Sequence, residues 1–311
     1  MSVRVNVSPS VQAGLRPPSL LDAPAHRRRQ SVTGWLFVAP SLALNMVIVL
    51  VPAVATVVLS FTSWNGLSSP RFTGLDNYRM LLADPEFHTA IVDNLKWLCA
   101  YLVVPITLGF TTALFMSSLR RGGAVLRTLL FLPYVLPTVV TAQLWSMLLS
   151  PVNGVNTLLA DVGIHAPIWL GNPSLTLWSV VAVDIWRFWG LVLVIMIGSM
   201  GKVDTQLVEA ALIDGAGRFA VVRKIIIPQL RSTLALIVML CLLWSFTAFD
   251  YVFVMTQGGP GYASQILATY MYSIAFQYNE LGYAATLAVC LMVIALFVTI
   301  IYRFLRRGES Q

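Results

Sequence analysis

Charge is what this chain has least of. Only 11% of its 311 residues are Asp, Glu, Lys or Arg, against roughly 25% in an ordinary soluble domain. With 58% of residues hydrophobic and a mean hydropathy of +0.79, its surface needs lipid to cover it. That excludes a cytosolic enzyme and a disordered tail. Cysteine is also scarce: Cys99, Cys241 and Cys290 lie in apolar runs with neither disulfide nor metal spacing, which excludes a disulfide scaffold and reads as plain packing. The three histidines, His26, His88 and His165, fall outside the apolar runs and far apart in sequence. They offer no metal cluster, no Ser–His pair and no H-E-x-x-H helix within a membrane. A phosphate-cradling loop is missing too, since Gly198-Ser199-Met200-Gly201-Lys202 has neither the spacing nor the following hydroxyl. The chain carries no metal site and no visible energy source.

What is present is apolar length. A bilayer core of about 30 Å needs roughly 20 apolar residues in a helix, and six stretches qualify, at about 34–61, 92–118, 126–149, 174–200, 233–256 and 281–302. Pro52, Pro105, Pro133 and Pro137 fall inside them, which helices in lipid tolerate when neighbours satisfy the freed backbone groups. The Lys and Arg residues set the orientation. Sixteen of the 20 lie in the N-terminal arm (Arg4, Arg16, Arg27, Arg28, Arg29), the second connection (Arg120, Arg121, Arg127), the fourth (Lys202, Arg218, Arg223, Lys224, Arg231) and the tail (Arg303, Arg306, Arg307). The odd-numbered connections hold only Arg71 and Arg79, with Lys96 at the mouth of span two and Arg187 inside span four. The positive-inside rule then gives six helices with both termini cytoplasmic. The net charge of +7 and pI near 9.6 are mostly this address, with some attraction to anionic lipid and no call for nucleic acid. Ala53-Val54-Ala55 resembles a signal-cleavage site, but a signal core is about 7–15 residues and the uncharged run here extends from Gln30 to Pro70. Residues 1–33 read as a flexible cytoplasmic arm, 34–303 as the membrane domain and 304–311 as a tail.

The fourth connection, 201–232, is too long for a turn and reads as helical. Asp204 or Thr205 can cap an N-terminus, Gln206 to Ile213 favours helix, and Gly215 and Gly217 are plausible stops. A second amphipathic segment runs from Arg218 to Ile227 into Pro228. Read alone, this is either a surface helix lying on the membrane or a docking element.

Glu209-Ala210-Ala211, three residues, Gly215, nine residues, then Ile225-Ile226-Ile227-Pro228 resembles the EAA–G–I-x-L-P loop of binding-protein-dependent ABC transporter permeases, departing only in Ile227 for Leu. The resemblance implies a short coupling helix docked on a separate cytoplasmic ATPase, with Glu209, Ala210, Ala211, Asp214 and Gly215 at the contact. Ser245-Phe246-Thr247-Ala248-Phe249-Asp250-Tyr251, Thr256-Gln257-Gly258-Gly259-Pro260 and Leu132-Pro133-Tyr134-Val135-Leu136-Pro137 resemble the carbohydrate-uptake branch, in the manner of the larger maltose-permease subunit. Unlike that subunit, this chain has neither extra N-terminal spans nor a large external insertion, and looks more like six-span glycerol-phosphate and sugar permeases. The fold implied is an all-α integral membrane protein of the type I ABC importer (MetI-like) kind.

Polar groups inside a membrane are expensive and mark function or pairing. Tyr134, Thr138 and Thr141 stand at i, i+4 and i+7, as do Asp184, Phe188 and Leu191, and Cys241, Ser245 and Ala248, hence one face of each span. By resemblance to the maltose branch, Tyr134, Thr138, Asp184, Phe188, Leu191, Cys241, Ser245 and Ala248 line a cargo path, with Asp250 as a gate or packing group. Asp184 and Arg187, at i and i+3, are equally an internal ion pair. Trp145, Trp178 and Trp189 read as interface or packing aromatics.

The implied function is one transmembrane half of an ATP-driven importer for a sugar, oligosaccharide or polyol in a prokaryotic cytoplasmic membrane. The implied partners are a second permease chain in a heterodimer, two copies of an ABC ATPase that bind ATP and Mg, and an external solute-binding protein. This chain itself is not an enzyme and needs no cofactor. A glycerol-phosphate or other non-sugar cargo is the alternative within the family, although Arg187 alone offers positive charge along the path. An ion-coupled secondary transporter would need coupling carboxylates, for which only Asp184 and Asp250 stand ready, and repeated halves, which the sequence lacks. A regulatory subunit that kept the docking loop but lost its path is the remaining rival.

Overall fold

The structure, a computed structural model, describes residues 38–117, 119 and 122–307. The N-terminal arm, the expected start of span one, Arg120, Arg121 and the end of the tail lie outside the described residues. The chain divides into two compact units, Met1–Ala55 and Thr56–Gln311. The described part of the first is helical and belongs to α1 (Val38–Leu59), whose hydropathy of 2.6 suits a span. A π-helical turn over Met46–Leu50 precedes Pro52. A proline ring collides with the carbonyl four residues earlier, and a widened turn relieves that collision.

In the second unit, a two-residue hairpin, β1 (Thr62–Ser63) against β2 (Arg71–Phe72), leads to α2 (Asp76–Ala83) and then to span two, α3 (Pro85–Ser117). Along α3 the buried positions are Phe87, Ala90, Asn94, Trp97, Tyr101, Pro105, Gly109, Ala113 and Met116, with Asp93 beside them. Spacings of three and four put these on one stripe, and that stripe packs along span four, α7 (Thr176–Met200). Small residues let helices in lipid approach closely. Gly190 of α7 shows the need: a Cβ there would stand 2.6 Å from the Leu130 carbonyl oxygen of α4.

Span three is where the sequence expectation fails. It is not one helix but α4 (Gly123–Val135) and α5 (Thr138–Leu148), bent by 92°. Pro133 is tolerated inside α4, whereas Pro137 ends the run. A residue before proline is pushed toward extended geometry, and Leu136 sits at φ −67°, ψ 140°. Tyr134 therefore lies on one arm of the bend and Thr138 and Thr141 on the other, and the single i, i+4, i+7 face does not exist. After α6 (Val155–Asp161) and α7, the fourth connection carries α8 (Thr205–Ile213) and a helical run opened by α9 (Arg218–Val221), with a π turn at Val222–Ile226 and α10 (Ile227–Gln229). Span five is also interrupted: α11 (Arg231–Thr247) and α12 (Asp250–Met255) flank Ala248 and Phe249, which leave helical geometry.

The fifth connection holds an element the sequence expectation passed over. α13 (Leu267–Phe276) is apolar and too short to cross, and its Leu267, Ala268, Thr269, Tyr270 and Ile274 are buried. It packs on α3 and on span six, α14 (Leu281–Arg307). Ten to fourteen apolar residues are the length of a buried or re-entrant segment. Five helices and one bent pair thus give six spans by length and composition.

Candidate functional site

The projection between spans four and five is built in three local steps. Asp204 has extended backbone, and its carboxylate accepts from the amides of Gln206 at 2.9 Å and Leu207 at 3.4 Å, satisfying donors that open α8. At the other end Gly215 adopts φ +83°. The Ala216 amide reaches the Ala211 carbonyl at 2.9 Å and the Gly215 amide reaches Leu212 at 3.1 Å, the pattern of a left-handed glycine stop. No atom lies within 4 Å of a Cβ built on Gly215, so the backbone twist rather than crowding requires glycine there. The Gln229 side chain then accepts the Asp204 amide at 2.9 Å, closing the start of α8 onto α10.

Beneath the projection is a small apolar core of Val221, Ile226 and Leu230. Val208 and Ala211 pack on it from α8, Phe110 and Leu114 from α3, Met200 from α7 and Leu234 from α11. Three spans therefore anchor one short helix. Its outer side is exposed: Glu209, Ala210, Asp214 and Gly215 are open, with Ile213 at 86% and Phe219 at 77% exposure. Large apolar side chains are thus displayed openly beside acidic ones.

A second constellation lies inside the spans. Aromatic rings step from Trp97 to Tyr101 (6.4 Å between centroids), to Phe188 (5.0 Å) and to Trp244 (5.9 Å). The Trp244 indole donates to Asp184 Oδ2 at 3.0 Å. Tyr101 interacts with the same carboxylate without reaching hydrogen-bond geometry. Arg187, one turn along α7, points elsewhere. Its Nε donates to the Leu136 carbonyl at 3.3 Å and its guanidinium carbon lies 4.9 Å from the centroid of the Tyr134 ring. Among the described residues no ion pair joins Asp184 to Arg187; the two pairs present are Arg79–Asp76 and Lys96–Asp93. The simple internal pair therefore gives way to two separate attachments.

The residues named for the cargo path divide by accessibility. Asp184, Phe188, Cys241, Ser245 and Ala248 are buried within this chain, Tyr134, Thr138 and Leu191 are half-buried, and Asp250 is exposed at the start of α12. Cys241, Phe188 and Ala248 share one core, against which Tyr134 and Leu191 pack. Asp250 thus has no packing partner that buries it within this chain. Sequence reasoning missed Asn94, Trp97, Tyr101 and Trp244. The first three had a signal, the α3 stripe, which displays them in successive turns of an apolar span.

Comparison with known proteins agrees with this architecture. Residues 105–311 match the family described as binding-protein-dependent transport system inner membrane component. A probable ABC transporter permease protein of Pyrococcus horikoshii is 34% identical over 89% of this chain and 96% of its own length. The trehalose/maltose transport system permease protein MalF of Thermococcus litoralis is 27% identical over 88% of this chain and 93% of that one. Among solved structures, a bacterial ABC transporter described as importing the acidic polysaccharide alginate superimposes with a TM-score of 0.79. It covers 92% of this chain and all of the matched chain at 20% identity, a likeness of fold. A bent third span, an anchored projection between spans four and five and a match over two thirds of the sequence make this chain a member of the binding-protein-dependent ABC transporter permease family, a multi-pass membrane subunit.

Proposed function

We propose that this chain is one transmembrane half of an ATP-driven importer for a carbohydrate in a prokaryotic cytoplasmic membrane. Its partners are a second permease chain, two copies of an ABC ATPase that bind ATP and Mg, and an external solute-binding protein. The observation that carries this reading is the projection. α8 displays Glu209, Asp214 and the bare side chain of Ile213, yet its base is packed on three spans. Movement imposed on α8 by a partner has nowhere to dissipate and reaches α3, α7 and α11. ATP binding closes the ATPase pair and draws the coupling helices together, and hydrolysis resets them. A ligand biases such an equilibrium only by its different affinity for the two states.

Carbohydrate cargo is supported by the named cargo of the MalF relative and by the branch motifs around Pro133–Pro137 and Gly258–Pro260. Tyr134, Thr138, Leu191 and Asp250 retain exposed surface in this chain and are the first-contact residues of the path. Phe188, Cys241, Ser245 and Ala248 form a wall behind them that cargo reaches only when spans three and five move.

The test is Glu209→Lys combined with Ile213→Asp, both on exposed positions. Co-purification of the ATPase and sugar uptake in membrane vesicles should both be lost while the chain remains inserted. Retention of both at wild-type level rejects the docking role.

A further inference from the structure

We propose that Asp184 and Arg187 are positioning residues: together they clamp the two interrupted spans, three and five, to span four, so that the two hinges move as one. The geometry is specific. Asp184 Oδ2 holds the Trp244 indole at 3.0 Å, and Trp244 lies one turn before the interruption at Ala248. Arg187 Nε holds the carbonyl of Leu136, the residue at the bend itself, while its guanidinium covers Tyr134 two residues earlier. Both clamps arise within one turn of α7, so neither hinge can shift its attachment without loading the same stretch of helix.

Two further observations separate this role from cargo binding or a plain ion pair. Asp184 is wholly buried in the chain taken by itself, with no second permease present to cover it. In this arrangement its carboxylate is engaged by Trp244 of the same chain, not presented at a surface. In addition, Asp184 Oδ1 and Arg187 Nη1 are buried without a hydrogen-bond partner. Buried polar atoms are nearly always paired, and charged ones inside a membrane carry a particular cost. Each clamp thus retains one unmade bond. The Tyr101 hydroxyl, itself without a hydrogen-bond partner, stands by the Asp184 carboxylate, so Asp184 sits between groups of spans two and five. The coupling travels through a shared element, the turn of α7 that carries both side chains.

The decisive measurement is a double-substitution cycle between residues on different hinges. Trp244 and Tyr134 share no hydrogen bond or ring contact among the described residues. Trp244→Phe and Tyr134→Leu are made singly and together in the full-length chain in nanodiscs, with whatever partners co-purify, first with the native α7 and then with Arg187→Lys. Distant independent sites give additive effects, so the clamp predicts a non-additive midpoint shift of about 2 °C or more that disappears with Arg187→Lys. Additivity in the native background overturns the proposal, as does non-additivity that survives Arg187→Lys.

Turnover supplies the second readout. Asp184→Asn keeps an acceptor for the indole and should retain ATP turnover per assembled complex, whereas Asp184→Leu should lower it about tenfold with KM for ATP unchanged. If Asp184→Leu does not assemble, Trp244→Phe removes the same bond from the other side and is expected to lower turnover in the same way. Asp184→Asn as damaged as Asp184→Leu, or Arg187→Lys fully active, would show that charge alone is needed and would sink the clamp. The thermal cycle needs neither cargo nor nucleotide. Failure of the importer reading, seen as no ATPase co-purifying, is therefore distinct from failure of the clamp.

Discussion

Asn94 donates its side-chain amide to the carbonyl of Ser245 at 2.7 Å, and its oxygen accepts the Leu267 amide at 2.8 Å. One buried side chain in span two thus satisfies backbone groups at the interruption of span five and at the opening of α13. Both bonds are buried. Asn94→Leu should leave both unsatisfied, at about 1–3 kcal/mol each, and thermal melting of the complex in nanodiscs should show a large drop in midpoint. Asn94→Asp, which sets a carboxylate oxygen against the Ser245 carbonyl in a buried site, should also melt below wild type at neutral pH.

At the outer end of span two, Asp84 accepts from the Tyr283 hydroxyl at 2.5 Å and from that of Tyr270. Burial alone would raise its pKa, but these bonds and the amides of Glu86 and Phe87 favour the ionised form and carry it below the ordinary 3.8. A carboxyl whose pKa falls on folding adds stability above its unfolded value and loses it as pH drops through the folded one. Wild type should therefore melt above Asp84→Asn at pH 7, and the gap should close as pH falls below 3.8. A gap independent of pH would show that ionisation of Asp84 adds nothing.

The docking helix makes a prediction about backbone rather than contact. Gly215→Val forces a branched side chain onto φ +83°, costing about 1–2 kcal/mol, and loosens the stop of α8. Asp204→Ala removes the opposite cap for about 1 kcal/mol. Both should reduce ATPase co-purification without changing the amount of chain in the membrane, and the double variant should bind least. A pull-down with the partner ATPase reads this directly.

Two glycines on α7 make a matched pair. Gly190 faces the Leu130 carbonyl, whereas a Cβ on Gly198 meets nothing within 4 Å. Gly190→Leu should push α4 away and collapse the yield of assembled complex; Gly198→Leu should be neutral. Size-exclusion recovery in detergent distinguishes them.

Much of this was legible in the residues themselves. Hydropathy and the placement of Lys and Arg gave six crossings, and Asp204, Gly215 and the Glu209–Pro228 spacing gave a capped projection. The side-chain stripe on α3 was equally readable but carries no motif, and so Asn94 and Tyr101 went unnoticed. Which proline breaks a helix was not readable: Pro105 and Pro133 are absorbed, while Pro137 bends the chain by 92°. At the bend the open Leu136 carbonyl is taken by Arg187, which lies 51 residues away in sequence. The same distance explains Asp184 and Arg187. Their i, i+3 spacing suggested mutual attraction, but each finds a better-placed partner on another helix. α13 escaped because an apolar run of that length reads equally as an outer loop.

The bend in span three also bears on how the polypeptide is made. An arginine near the centre of a helix resists transfer from the translocon into lipid by about 2.5–3.5 kcal/mol. Span three is synthesised before span four, so the Leu136 carbonyl and the Tyr134 ring that receive Arg187 in the folded chain precede it in the order of insertion. Span four is thus the recipient of a prepared seat, and a chain whose third span is displaced should stall with its fourth span outside the bilayer.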